Sequence, residues 1–287
     1  MKYNKLYFLD DLIKFVLNHP KYGKHYDFTY KLQFYDLPTI LKEIFHLSNN
    51  LMSYNDYRGS VNRKSLNWHI NKFAERNILN EYYKFSLNRY FKSNLAGKLK
   101  YQSIDSFFIP NKYAVNEIGR NKFYKSKKGT KISIICDNLN VPISVEIRAG
   151  NNSDKSLLVD NLNNFFINTK TFHLKDSNKY KQYLLADKGY DFKDIRQILT
   201  DKGYYPIIDH NKRNTKDLSK IKKLSKKGKI LYKKRIHIER LISHLKYSVK
   251  RLLIRFDRNI KTFNLFIFIS IIVNIYRILF KQKHKSN

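Results

Sequence analysis

YKKRIHIERLISHLK, residues 232–246, is the stretch that decides how the rest of the chain is read. Wound as an α-helix, it places Tyr232, Arg235, Glu239 and Lys246 within an arc of roughly 60°. Ile238, Leu241, Ile242, Leu245, Val249, Leu252 and Leu253 gather on the neighbouring face, the expected buried stripe. His237, Arg240, His244, Tyr247 and Arg251 fall on the opposite, wet side. Tyr232 and Lys246 would stand about 21 Å apart along the axis, with Glu239 midway. A lone carboxylate between a guanidinium and an ammonium suits an acidic group that meets a polyanion. The same spacing also fits a plain amphipathic helix with an Arg235–Glu239 pair, worth only tenths of a kcal/mol.

Composition favours the first reading. Lys and Arg number 57 against 23 Asp and Glu, a formal charge of +34 in a chain that is 42% hydrophobic. With 22 Tyr and 20 Phe there is ample apolar surface for a packed core, which excludes a disordered polycation. A folded chain this basic is expected to bind a polyanion, most simply nucleic acid. The single cysteine, Cys136, excludes an intrachain disulfide framework and any cysteine-based zinc site. The opening MKYNKLYFLDDLIKF carries acid where a secretion signal is apolar, so none is expected. LFIFISIIVNIYRILF, residues 265–280, is interrupted by Ser270, Asn274 and Arg277 and is expected to be a buried C-terminal helix, with no membrane partner.

Upstream, residues 1–95 show apolar residues at helical spacing in LDDLIKFVLNHP, DLPTILKEIFHLSNNLM and SLNWHINKFAERNILNEYYKFSLNRYF, the last with Ser65 as its expected N-cap. Arg58, Arg63, Lys64 and Lys72 surround a turn in this all-helical region. Two roles stay open for it: a helix-turn-helix entering a DNA groove, or a helical scaffold. After residue 95 the texture changes. KYQSIDSFFI predicts a strand, and TKISIICD-NLN-VPISVEIRAG predicts a hairpin. Residues 153–166 predict a helix capped near Ser153 or Asp154. YLLAD (183–187) predicts a short strand, FKDIRQILTDKG a helix opened by Asp191 and stopped at Gly203, and YYPIID another strand. Residues 210–229, with Lys222, Lys223, Lys226, Lys227 and Lys229, predict a basic loop. The sum is a mixed α/β domain over 96–287.

Two aspartates sit where sites are built: Asp105 within SIDSF, and Asp187 at the end of YLLAD, before Lys188-Gly189. Each, taken alone, is more often a strand-end cap or a paired structural acid. With Glu239 they make three carboxylates on two strands and a helix. Hard oxygens of this kind hold Mg²⁺, and paired ions serve in-line phosphodiester displacement. Asp209-His210 also follows a strand, where a turn is expected instead.

SIDSF, LLADKGYD, YKKRIHIERLISHLK and the downstream RLLIRFDRNIKTFN together resemble insertion-sequence transposases of the DDE type. The spacing Tyr232, two residues, Arg235, three, Glu239, six, Lys246 matches that family's Tyr-Arg-Glu-Lys signature. The family has glycine and threonine after its first aspartate, where this chain has Ser106 and Phe107. The resemblance spans roughly residues 100–280. It implies an α/β, ribonuclease H-like mixed sheet flanked by helices, behind an N-terminal helical region. It implies Asp105, Asp187 and Glu239 as catalytic ligands of two Mg²⁺ (or Mn²⁺) ions, and DNA held by Tyr232, Arg235 and Lys246. Lys188 and Arg240, beside those acids, and Arg58, Arg63 and Lys64 are expected on the DNA as well. It further implies terminal inverted repeats and target DNA as substrates, a homodimer in the synaptic complex, and a cytoplasmic or nucleoid location. The rivals are a nuclease of the same fold without strand transfer, and an inactive DNA-binding protein.

Overall fold

The computed structural model describes residues 3–23, 35–92, 99–165, 182–211 and 224–283. Lys222, Lys223 and most of the expected basic loop lie outside them. The chain divides into two compact units.

The first unit comprises Met1–Ser86, Ile109–Glu117 and Leu245–Asn287. Its helices are α1 (Tyr3–Asn18), α2 (Leu37–Asn49), α3 (Arg63–Glu75) and the start of α4 (Ile78–Phe91). The C-terminal helix, named α9 below, belongs here, whereas sequence grouped it with residues 96–287. Asp36 caps α2 by accepting from the Thr39 N–H at 2.8 Å. The N-cap of α3 is Asn62, not Ser65, its side chain accepting from Lys64 N–H. The single long helix expected from Ser65 onward is two. Asn77 adopts φ 57, a left-handed conformation that ends α3, and the buried face is reset from Leu66, Ile70 and Phe73 in α3 to Ile78, Tyr82 and Ser86 in α4.

The second unit comprises Leu87–Phe108 and Ile118–His244. It is built on β1 (Tyr101–Pro110), β2 (Gly119–Asn121), β3 (Lys127–Cys136), β4 (Pro142–Ala149), β5 (Gln182–Ala186) and β6 (Tyr204–Ile208). Around the sheet run α5 (Asp154–Asn163), α6 (Lys193–Asp201), α7 (Lys226–Tyr232) and the part of α8 (Ile236–Ser248) up to His244. The sheet order is β2-β3-β1-β5-β6, with β4 paired to β3. The predicted hairpin is β3–β4, antiparallel from Thr130↔Ala149 to Cys136↔Pro142, and Asn140 takes the positive φ of 66 its tight turn requires. β5 and β6 are parallel and in register from Gln182↔Tyr204 to Ala186↔Ile208. Short apolar runs such as YLLA, buried at Leu184, Leu185 and Ala186, are what a central parallel strand needs. Gly203, φ +82, closes α6 as expected. Asp191 does not cap α6, whose N-cap Phe192 makes no side-chain bond. Its buried carboxylate instead takes Arg196 Nε at 2.8 Å, His210 Nδ1 at 3.0 Å and the Asn211 N–H at 2.9 Å, tying the end of β6 to α6. His210 thus turns away into that tie, as a strand-end turn residue would.

α9 (Ile260–Lys283) is apolar on nearly all sides. Residues 260–279 are long and apolar enough to cross a membrane, yet 78% of that window is buried inside the protein, against α3 and α1. The Leu245 carbonyl accepts from Ser270 Oγ at 2.8 Å, so this fully buried hydroxyl is satisfied.

α8 ends at Ser248, before the stripe predicted from Ile238 to Leu253 is complete. Ile238, Leu241, Leu245, Val249 and Leu252 are buried, but Leu253 is exposed. Arg251, expected on the wet side, is fully buried in a 3₁₀ turn after the helix. Its Nε and Nη2 donate to Asp257 at 3.3 and 3.2 Å, and Nη1 donates to the Met52 carbonyl at 2.7 Å. Tyr54 and Phe266 rings lie 4.7 Å from the guanidinium. Arg255, also fully buried, donates to the carbonyls of Asp257 and Glu117 and to Asn116. RLLIRFDRNIKTFN is therefore a buried arginine knot of the first unit.

Candidate active site

β1 and β5 pair in parallel at Tyr101↔Tyr183, Gln102↔Leu184 and Ser103↔Leu185. Carrying that register two residues further brings Asp105 level with Asp187 on strands about 4.8 Å apart. This is how the sheet gathers two acids that lie far apart in the string. Each is fixed the same way: Asp105 Oδ1 accepts from the Ser106 N–H at 2.8 Å, and Asp187 Oδ1 from the Lys188 N–H at 2.7 Å. The second of these bonds also opens the short 3₁₀ turn Lys188–Tyr190.

The basic side of the site is not one continuous helix. Tyr232 ends α7, Lys233–Arg235 form a 3₁₀ turn, and α8 starts at Ile236. Lys226, Lys227 and Lys229, expected in a loop, lie in α7. In a 3₁₀ turn residues i and i+3 eclipse. Arg235 accordingly lies over the Tyr232 ring, 5.4 Å from its centre, and its Nη1 donates to the Tyr232 hydroxyl at 3.3 Å. That hydroxyl donates on to Asp187 Oδ1 at 3.3 Å. The guanidinium then joins the two acids: Nη2 reaches Asp105 Oδ2 at 3.4 Å, and Nη1 lies 3.6 Å from Asp187 Oδ1.

Burial pushes the Asp105 carboxyl above the usual range; the Ser106 N–H and Arg235 pull it back, while Asp187 and Asp154 push it further up. Burial also raises the Tyr232 hydroxyl, with Arg235 opposing and Asp187 adding. Behind Asp105 a second layer holds the strand: Ser106 Oγ donates to Asp154 Oδ1 at 2.5 Å, and the buried Lys131 ammonium lies 3.2 Å from the same oxygen. Sequence reading took Asp154 only for a cap; the cap is Ser153, accepting from Ser156 N–H. The only signal for the Asp154 contact was Ser106 itself, standing where a glycine was expected.

A match to the family model for the transposase DDE domain covers residues 99–275, more than half of the chain. The chain belongs to the DDE transposase family. Its mixed sheet, with two parallel strands beside an antiparallel hairpin, is the ribonuclease H-like fold expected of such a domain. No curated protein is detectably similar to the chain in sequence.

DDE transposases use divalent metals, so the fit of such an ion to this transposase matters. Asp105 and Asp187 face a common point where a cation is already welcome, since one guanidinium spans both. Their hard oxygens suit Mg²⁺ or Mn²⁺, which need only one or two carboxylates and keep waters. The residues therefore fit. Glu239 is exposed in the first turn of α8, one turn beyond Arg235. Among the described residues no three His, Cys, Asp or Glu side chains are arranged to hold a metal together. Of the expected triad, the two aspartates are brought together around Arg235, and among the described residues Glu239 is not grouped with them in an arrangement that could hold a metal.

The other expected DNA contacts vary in setting. Lys188 and Arg240 are exposed. Lys246, in the last turn of α8, is half-buried, and desolvation lowers its ammonium pKa. Arg58 and Arg63 are exposed, but each donates to Asn55, through its carbonyl at 2.7 Å and its side chain at 3.1 Å. Lys64 is exposed at the start of α3. α2 and α3 are joined by residues 50–62, a longer and more cross-braced link than a helix-turn-helix turn.

Proposed function

We propose that this DDE transposase is an insertion-sequence enzyme of the Tyr-Arg-Glu-Lys type, cutting DNA at terminal inverted repeats and joining the freed 3′-hydroxyls to target DNA. The observation that carries the reading is the register of β1 and β5, which lays Asp105 and Asp187 side by side under Arg235. Asp105, Asp187 and Glu239 would hold two Mg²⁺ or Mn²⁺ ions. When bound, such a pair activates the attacking oxygen and stabilises the leaving oxygen of an in-line phosphodiester displacement.

The chain's own residues supply the rest. Ser106 and Lys188 N–H groups orient the two aspartates so that both present to one phosphate position. Arg235, planar and forked, and Tyr232, with a ring and a hydroxyl, hold the phosphate and its neighbouring base. Lys188, Arg240 and Lys246 add phosphate contacts, and the +34 charge supplies sequence-blind, salt-sensitive affinity. In the helical region, taken as residues 1–95, Arg58, Arg63 and Lys64 would grip flanking DNA. Residues 96–287 would carry the chemistry. Two DNA ends must be held together, so the working form is a homodimer acting on the nucleoid in the cytoplasm.

A pre-cleaved donor end and a plasmid target separate this reading from a nuclease of the same fold. Joined products are expected; hydrolysis products alone would remove the transposase assignment. Asp187→Ala is expected to abolish metal-dependent cleavage while DNA binding survives, and a variant that still cuts would refute the site.

A further inference from the structure

Arg235 occupies the point shared by Asp105 and Asp187, and if those acids are ion ligands its guanidinium and the ions compete for the same oxygens. We propose that Arg235 is an internal counter-cation that exchanges places: it neutralises the two aspartates in the metal-free protein, and is displaced from them as divalent ions enter and DNA phosphate arrives to receive it. This rests on the reading of Asp105 and Asp187 as metal ligands.

The geometry argues for a held but releasable group. The Arg235 side chain is only 12% exposed, so its charge is committed to the site. Its ties are long: 3.4 Å to Asp105, 3.6 Å to Asp187 and 3.3 Å to Tyr232. A settled charge-assisted pair would sit near 2.7–2.9 Å. Among the described residues the buried Nε has no hydrogen-bond partner, so the five-donor fork is underused here. A phosphate accepts such a fork through two parallel bonds, which a pair of separated carboxylates cannot offer. Tyr232 gives the motion a pivot, since its ring lies under the guanidinium and its hydroxyl is already on Asp187. The position in a 3₁₀ turn between two helices is where a small backbone adjustment swings a side chain.

The consequence is linkage. Whatever draws Arg235 away removes a competitor for the ions, so phosphate and metal favour each other's binding. If the latched arrangement dominates about ten to one without DNA, metal affinity is lowered about tenfold.

The test uses the full chain without DNA, with Mn²⁺ binding followed by the electron paramagnetic resonance of the free ion. Arg235→Gln is expected to tighten Mn²⁺ binding by several-fold to about tenfold, and Arg235→Lys, a point charge unable to span both acids, by less. Asp105→Asn with Asp187→Asn is expected to abolish the tight site. Melting in EDTA gives a second reading: Arg235→Gln should melt lower than wild type, and added Mn²⁺ should raise its melting temperature by more. If the aspartate double variant loses the site but Arg235→Gln binds Mn²⁺ no better than wild type, the exchange is overturned and the metal assignment stands. If the aspartate double variant keeps the site, the metal assignment itself fails and the exchange with it.

Discussion

Asp257→Asn probes the buried arginine knot of the first unit, and its effect can be worked from the contacts. Arg251 and Asp257 side chains are both 0% exposed, so solvent does not screen them. Asp257 takes two bonds from Arg251, at 3.3 and 3.2 Å, and one from the Tyr54 hydroxyl at 2.8 Å. Asparagine keeps the volume and can still accept from Tyr54. Its amide brings N–H groups toward a guanidinium that has only N–H groups to offer, and it removes the balancing charge. The amide oxygen that keeps Tyr54 also keeps Arg251 Nη2, but Nε loses its acceptor, and the Met52 carbonyl with the faces of Tyr54, Phe256 and Phe266 softens the cation without neutralising it. Removing one partner of a buried pair costs about 3–5 kcal/mol.

Trp68 is the only tryptophan and lies on α3 of the same unit, so its fluorescence in urea follows this unit specifically. At a slope of about 2 kcal/mol per molar, the midpoint should fall by roughly 2 M. The paired replacement Arg251→Met with Asp257→Leu deletes both charges and fills the space, and is expected to recover most of the loss. A drop below about 1 kcal/mol for Asp257→Asn, or a double variant as unstable as the single, would refute the claim that charge pairing holds this knot.

Other expectations follow from single side chains. His69 is 5% exposed, and burial pulls its pKa from 6.5 down to about 4. The unfolded chain therefore binds the extra proton first, and stability falls as pH drops through that window. Between about pH 7 and about pH 5 the loss is about 2 kcal/mol, read by Trp68 in urea; His69→Leu should flatten it, and an unchanged slope would refute the assignment. Asp105 has a raised folded pKa, so its ionised form costs stability in full above that value and nothing below its unfolded pKa of about 3.9. Asp105→Asn should melt above wild type at neutral pH, with the gap closing as pH falls; a lower melting point at neutral pH would contradict it. Lys246→Ala should weaken binding to end DNA and reduce the salt slope by about one, and an unaltered slope would exclude a phosphate contact.

The local patterns that reach the structure intact are those the backbone itself dictates. Two β-rich runs around an Asn-rich turn predict β3–β4, and short apolar runs predict β5 and β6. Where helices stop was less legible. Asn77 breaks α3 from α4 and the Lys233–Arg235 turn parts α7 from α8, with neither proline nor glycine to announce either break. Extending the α8 stripe five residues past Ser248 put Arg251 on the wrong side, because a charge reads as exposed until Met52, Tyr54 and Phe266 are known to surround it. The acids of the site were legible by position, but their meeting depends on strand register, and Asp154 entered through a contact forty-eight residues from Ser106.

The two sides of the site are built from materials of different stiffness, and that division has a mechanical sense. Asp105 lies in β1 and Asp187 directly follows β5, each carboxylate held by the next residue's N–H, so the paired sheet beneath them restrains their separation. Tyr232, Arg235 and Glu239 ride on a segment broken by a 3₁₀ turn, where the helical hydrogen-bond pattern changes twice within a few residues. A segment with such a break can change the pitch between Arg235 and Glu239 at little cost, while the sheet holds the aspartates still. A third carboxylate delivered by that segment would reach the aspartates only as Arg235 leaves them, because both groups are carried by the same stretch of backbone. Proline in place of Lys234 is the direct check: Lys234→Pro should stiffen the turn and leave DNA binding through the exposed lysines nearly intact. It should slow cleavage by a factor that excess Mn²⁺ does not restore. Full cleavage by that variant would show that the broken helix has no part in assembling the site.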